Sequence, residues 1–286
     1  MTIQRVLQIS IFLGLAVLAY TQTDKEAPAA LTVQRLKEDL FLIEGTSKGF
    51  ADAGNVLVYV TGEGIVLIDD RFEEDYQQIL AQIKTITNQP IRYVFNTHHH
   101  GDHTGTNAKF LPTAEIILHK NARKQMVQRA MPGIPRIDFS EEASVFLGGK
   151  EVRAIYTGRG HTDGDVTIYI PAHRTVHMGD LYTGTNGVSN PVVDYSSNGS
   201  LKAWPATLDK VLAMDIEIVV PGHGPVAAKQ GLLDHRNKVA AIGGRLSSLV
   251  NQNKSKDDIT AALIAEFDSK PINLRALDEM IAEVKR

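Results

Sequence analysis

Ile91-Arg92-Tyr93-Val94-Phe95-Asn96-Thr97-His98-His99-His100-Gly101-Asp102-His103 is the stretch from which the fold can be read. Ile91 to Phe95 is a β-branched and aromatic run directly after Gln89-Pro90, and it predicts a buried strand. Alternate residues leaving a strand point the same way, so His98 and His100 can converge on one ion. Gly101 lets the chain turn sharply and sends Asp102 and His103 toward a second point nearby. Asp102 suits the N-cap of a helix starting here, and His99 reads as a loop residue facing outward. Imidazoles at this density repel one another when protonated, and the group is costly to bury unless a cation unites it.

Three further segments offer the same side-chain types at strand ends. Gly158-Arg159-Gly160-His161-Thr162-Asp163-Gly164-Asp165 places a histidine in a Gly-rich loop. Met178-Gly179-Asp180 places a carboxylate, and Pro221-Gly222-His223-Gly224 places another histidine. Functional groups concentrate on such loops because rigid strands aim them. Of the 10 histidines, His119, His173, His177 and His235 read as ordinary core or surface residues. The chain has no cysteine, which excludes disulfides, thiolate nucleophiles, iron–sulfur clusters and Cys-based zinc sites. Any metal must therefore be held by His and carboxylate, ligand types that zinc accepts.

At 286 residues, with 43% hydrophobic and 22% charged residues, the chain can build a sizeable core and is too apolar to be disordered. A net charge of −3 argues against a nucleic-acid binder that works by neutralising phosphates. Arg5 followed by the apolar run Val6 to Tyr20 is short for a bilayer span, which needs roughly 20 apolar residues. It fits a secretory signal over residues 1–21, cut after Ala19 or Thr21, with an uncleaved anchor as the alternative. Residues 22–34 read as a linker. The expected address is exported, periplasmic or secreted.

Phe41 to Glu44, Asn55 to Thr61 and Gly64 to Asp69 read as consecutive antiparallel strands, with Gly62-Glu63-Gly64 as a hairpin turn. Tyr76, Ile79, Leu80, Ile83 and Ile86 mark one face of a helix. A second round brings strands at Glu115–Leu118, Ser144–Leu147, Glu151–Tyr156, Val166–Ile170, Thr175–Met178 and Ile216–Val220. Helices are expected at Asn121–Arg129 and Ser200–Met214, and throughout the chain after Gln230. Leu274, Leu277, Ile281 and Val284 make an amphipathic stripe, and Trp204 reads as core. Two rounds of strands and helices predict two packed sheets with helices outside, an α+β fold.

The pattern His-x-His-x-Asp-His at 98–103, with His161, Asp180 and the Gly-His-Gly at 222–224, resembles the metallo-β-lactamase fold superfamily. The resemblance implies a four-layer αββα sandwich over residues 35–230, a helical C-terminal extension over 231–286, and two metals, usually zinc. It implies that His98, His100 and His161 hold the first ion, that Asp102, His103 and His223 hold the second, and that Asp180 bridges them. Most β-lactamases of the superfamily carry Cys or Ser where this chain has Asp180. An aspartate there is similar to the wider hydrolases: lactonases, glyoxalase II-like thioesterases, other esterases and phosphodiesterases.

The expected chemistry is attack of a zinc-bound hydroxide on the carbonyl of a small-molecule substrate, a lactone, thioester, ester or β-lactam-like amide. Asp102 would orient the nucleophile and Tyr182 would donate to the oxyanion. Thr162 and Asp163 are candidate partners for His161, and Asp69, with Asp70 as competitor, for another ligand histidine. Ser47–Gly54 and Thr183–Gly199, with Asn186, Asn190 and Tyr195, are the expected lids. No lysine or arginine stands at a family position for a lactam carboxylate. Iron is the alternative metal, in a sulfur dioxygenase-like redox enzyme of the same fold. A phosphodiesterase is a further alternative, and no stable partner is inferred.

Overall fold

The computed structural model describes residues 30–45, 53–184 and 190–286. The expected leader, residues 22–29 of the expected linker and parts of both expected lids lie outside these residues.

The first sheet runs in sequence order through β1 (Leu31–Arg35), β2 (Leu40–Gly45), β3 (Val56–Val60), β4 (Ile65–Ile68), β5 (Ile91–Phe95), β6 (Glu115–His119) and β7 (Ile137–Phe139). Its first four strands are antiparallel, and β4 to β7 are parallel. Leu31–Gln34, expected as linker, pairs with β2 as an edge strand instead. Its pattern there is too short and too polar to stand out from a linker. β7 likewise adds to the expected strands.

The second sheet has the order β13–β12–β11–β10–β9–β8. Its strands are β8 (Glu142–Leu147), β9 (Lys150–Ile155), β10 (Thr167–Ile170), β11 (Thr175–His177), β12 (Ile218–Val220) and β13 (Ala227–Ala228). Only the β11–β12 pair is parallel. The helices are α1 (Tyr76–Ile86), α2 (Gly101–Thr104), α3 (Asn107–Phe110), α4 (Lys120–Gln128), α5 (Trp204–Leu212), α6 (Lys229–Asn251), α7 (Lys256–Phe267) and α8 (Leu277–Val284).

Strand periodicity explains the layering. On β3 and β4, Val56, Val58, Ile65 and Leu67 face outward onto Ile79 and Ile83 of α1 and Phe110 of α3. Their neighbours Leu57, Tyr59, Val66 and Ile68 face inward onto Val152, Ala154, Ile168 and Val220 of the second sheet. Both faces are covered, so these strands read as unbroken apolar runs rather than alternating ones. On the far side of the second sheet, Val176, Met178 and Val219 meet Trp204, Leu208 and Val211 of α5 and Leu232, Val239, Ile242 and Leu246 of α6. Each fully buried aliphatic side chain contributes roughly 1.5–3 kcal/mol of burial free energy.

This is the expected four-layer αββα sandwich. The expected boundary after residue 230, however, falls inside α6, and α6 to α8 share one core with α5. The C-terminal helices form part of the fourth layer and are not an appended extension. Sequence amphipathicity shows that a helix face is buried but not what it is buried against. Among the described residues no helix is long and apolar enough to cross a membrane.

Candidate metal centre

Strands β5, β11 and β12 of the two sheets end at the same edge of the sandwich, and the loop after β9 returns there before β10. Past β5, His100 caps the short helix α2, and Asp102 lies inside its first turn rather than at the N-cap. Past β11, Asp180 sits on a 3-10 turn, Gly179–Leu181. Past β12, Gly222 lets the chain pass against Asp180, because a Cβ there would overlap Asp180 Oδ1. A Cβ on Gly54 would likewise overlap the His103 ring.

The seven expected ligands come together in two groups that share one carboxylate. In the first, His98 Nε2 lies 3.1 Å from His100 Nδ1, His100 Nδ1 lies 2.9 Å from His161 Nε2, and His161 Nε2 lies 3.6 Å from Asp180 Oδ2. In the second, His103 Nε2 is 3.5 Å from Asp102 Oδ2 and 3.4 Å from Asp180 Oδ1. His223 Nε2 closes that ring at 3.2 Å from Asp102 Oδ2 and 3.4 Å from Asp180 Oδ1. A tetrahedral ion at about 2.0–2.2 Å from its ligands has ligand–ligand edges of about 3.3–3.6 Å. Both groups are close to that size, and Asp180 presents one oxygen to each.

The outer hydrogen bonds show which nitrogens carry lone pairs. His161 Nδ1–H donates to the Val192 carbonyl at 2.6 Å, and His100 Nε2–H donates to Asp194 Oδ2 at 3.0 Å. His103 Nδ1–H donates to Asp69 Oδ2 at 2.8 Å. Thr97 Oγ1 donates to the same Asp69 oxygen at 2.8 Å, so it accepts from His98 Nδ1–H at 3.1 Å. Each of these four imidazoles spends one nitrogen as donor to the protein and turns the other, as an acceptor, into the centre. His103 Nε2 and Asp180 Oδ1 are buried there without a hydrogen-bond partner. Buried acceptors facing one another are what a bound cation satisfies, and the donor set fits a metal pair.

The electrostatics agree. Burial raises the Asp180 and Asp102 pKa values, but the surrounding histidines more than reverse this and hold both carboxylates well below their usual range. Burial, reinforced by the neighbouring imidazoles, keeps His98 well below the ordinary histidine value. Burial also takes His161 down to about 4. Burial opposes charge on His103, yet Asp102, Asp69 and Asp180 raise its pKa, because three carboxylates crowd the ring, a charge that a cation would answer.

Several expectations need correction. His99 is buried rather than facing outward, with its Nε2 3.2 Å from Ser197 Oγ. Neither Thr162 nor Asp163 orients His161. Thr162 bonds Asp165, Asp163 receives Asn198 Nδ2 at 3.0 Å, and a backbone carbonyl takes the imidazole. Asp70 accepts from Thr106 N at 3.0 Å, which leaves the orienting role to Asp69. Tyr182, the expected oxyanion donor, does not line the cleft above the metal groups. Its ring packs 5.2 Å from that of His235, in a separate pocket with Pro225 and Asp234. Tyr182 stands two residues past Asp180, but the 3-10 turn between them rotates it to the helical side.

The metal groups floor a cleft of about 660 Å³, whose rim includes Arg129, Arg275 and Glu279. Sequence reasoning missed Asp194, Val192 and both arginines. A carbonyl leaves no trace in side-chain pattern, and Arg275 reaches the cleft from the far end of the chain. Asp194 had a signal, since Asp followed by Ser196 is a local turn, with Ser196 N donating to Asp194 Oδ1 at 3.0 Å.

Residues 49–223 match the family model of the metallo-beta-lactamase superfamily. The chain belongs to that superfamily. As a member it is a hydrolase with a metal-binding site. It is similar to a type 2 metallo-beta-lactamase of Bacillus cereus, 24% identical over 217 residues, covering 74% of this chain and 83% of that protein. It also resembles the alpha subunit of a 2,4-dinitroanisole O-demethylase from a Nocardioides strain, 31% identical over 140 residues, covering 47% of this chain and 41% of that protein. Among solved structures, a metallo-beta-lactamase from Pontibacter korlensis superposes with a TM-score of 0.65 at 22% identity, covering 73% of this chain and 99% of that one. That likeness establishes the fold of this superfamily member.

Proposed function

We propose that this chain is an exported dinuclear metallohydrolase that adds water to the carbonyl of a small-molecule lactone, thioester, ester or β-lactam-like amide. The observation that carries the reading is Asp180, whose two oxygens face two separate ligand groups. His98, His100 and His161 would hold one ion and Asp102, His103 and His223 the other. Divalent cations held by these residues, of which zinc accepts this donor set, would supply Lewis acidity and a water of lowered pKa.

The chain's own groups do the rest. Asp102 is the more open of the two central carboxylates, with 22% side-chain exposure against 9% for Asp180. It faces the cleft, where it would orient the attacking water. Asp69, Asp194 and the Val192 carbonyl hold the imidazoles in one tautomer. The cleft volume suits a small molecule rather than a polymer. The apolar run Val6 to Tyr20 supports removal of residues 1–21 on export, read by the mass of the mature protein from its host.

Chelator-stripped protein, reloaded with zinc, should regain hydrolysis on a panel of lactones, thioesters, esters and β-lactams. A zinc-loaded sample inactive on the whole panel overturns the reading.

A further inference from the structure

We propose that the C-terminal segment from Phe267 to Glu283 is a brace that aims two histidines of the first metal group, with Glu283 as its principal positioning residue. This rests on the metallohydrolase reading above. The family model ends at His223, so this segment lies beyond the part of the chain that carries the superfamily pattern.

The segment grips residues 190–202 at both ends. At one end, Asn190 Nδ2 donates to the carbonyls of Phe267 at 3.0 Å and Asp268 at 3.2 Å, and Asn273 Nδ2 donates back to the Asn190 carbonyl at 3.2 Å. At the other, Glu283 Oε2 accepts from Tyr195 Oη at 2.6 Å and from Lys202 N at 3.2 Å, while Oε1 accepts from Ser200 Oγ. Between the grips lie the two groups that fix ligand rings: the Val192 carbonyl on His161 Nδ1, and Asp194 Oδ2 on His100 Nε2. Tyr195, which Glu283 holds, is the neighbour of Asp194.

The same stretch is stitched to the His161 loop. Asp194 N donates to the His161 carbonyl at 2.9 Å and Ser200 N to the Gly160 carbonyl at 2.8 Å. His98 and His103 are oriented from the opposite side, through Asp69. The brace therefore acts on the first group and leaves the second alone. A carboxylate that accepts several hydrogen bonds makes a stiff joint. Glu283 stands one contact further out than a direct ring partner, so its loss should weaken the first group's affinity by roughly tenfold, the low end for outer-shell partners.

The test uses full-length protein carrying Glu283→Ala, with Glu283→Gln as the conservative control. Calorimetric zinc titration of chelator-stripped protein should show roughly tenfold weaker binding at one site, no change at the other, and most of the affinity kept in Glu283→Gln. In metal-free protein, ¹⁵N spectra of the histidine rings should show His100 and His161 averaging between tautomers in Glu283→Ala, with His98 and His103 unchanged. If Glu283→Ala does not fold, Tyr195→Phe removes one of the same bonds and is read in the same way. Zinc affinities and ring spectra that match wild type overturn the brace. If wild-type protein takes up no zinc, the metallohydrolase reading fails instead, and the ring spectra alone decide whether the segment orients the imidazoles.

Discussion

Asp69 Oδ2 accepts from His103 Nδ1 at 2.8 Å, with both side chains fully buried and Asp69 in a left-handed backbone conformation at φ 59°. The same carboxylate takes Thr97 N at 2.7 Å and Thr97 Oγ1 at 2.8 Å. One side chain thus fixes a ring in each metal group. Asp69→Ala should weaken zinc binding by roughly 10–100-fold. It should also cost about 1–3 kcal/mol for each donor left buried and unpaired. Calorimetry and denaturant unfolding of the metal-free protein read the two effects separately.

Asp180 and His161 should behave differently when removed. Asp180 offers an oxygen to each group, so Asp180→Ala should lower occupancy of both metals. His161 belongs to the first group alone, so His161→Ala should leave one metal bound per chain. Metal content by mass spectrometry, before and after a fixed chelator wash, distinguishes them. Retention of two metals by Asp180→Ala would contradict the bridge.

Arg129 and Arg275 both line the cleft, and neither has a carboxylate partner among the described residues; Arg129 Nη2 donates instead to Ser197 Oγ at 2.7 Å. Substrates carrying a carboxylate should therefore be favoured over neutral ones of equal length. With mono-p-nitrophenyl succinate set against p-nitrophenyl butyrate, each Arg→Ala change should lower kcat/KM for the anionic ester by roughly two- to fivefold, the range for exposed ion pairs. The neutral ester should be unaffected.

His119 links the sheets by stacking on Tyr156, with ring centroids 4.2 Å apart and planes at 7°. Its Nε2–H donates to the Ser140 carbonyl at 2.9 Å, and its Nδ1 accepts from Asn121 N at 3.3 Å. Burial lowers its pKa from the ordinary value of 6.5. Above that value both folded and unfolded forms are neutral and the group contributes no pH dependence. As pH falls below it, the unfolded chain takes up a proton that the folded ring refuses, so stability declines until the lowered pKa is reached. His119→Gln should make the fall in Tm between pH 7 and pH 5 shallower, measured on metal-free protein.

The 91–103 stretch carried most of the fold and most of the centre. A strand period and a glycine are local properties, and they place His98, His100, Asp102 and His103 whatever surrounds them. The remaining ligands could be named because Gly-rich strand ends leave a mark in the sequence. Sequence reading failed where geometry depends on a turn's rotation, as with Tyr182, or on what an apolar stripe packs against, as with α6 to α8. It also failed where the donor is a carbonyl, as at Val192.

That imidazoles and carboxylates stand at strand ends with no thiol among them is legible in the chain, because residue type and local period are written into it. The packing of distant segments was needed to show which nitrogen of His98, His100, His103 and His161 faces the centre, which oxygen of Asp180 meets which group, and that Glu283 lies against the loop bearing Asp194. Those relations join residues far apart in sequence, and they exist only once the two sheets and the outer helices have closed on one another.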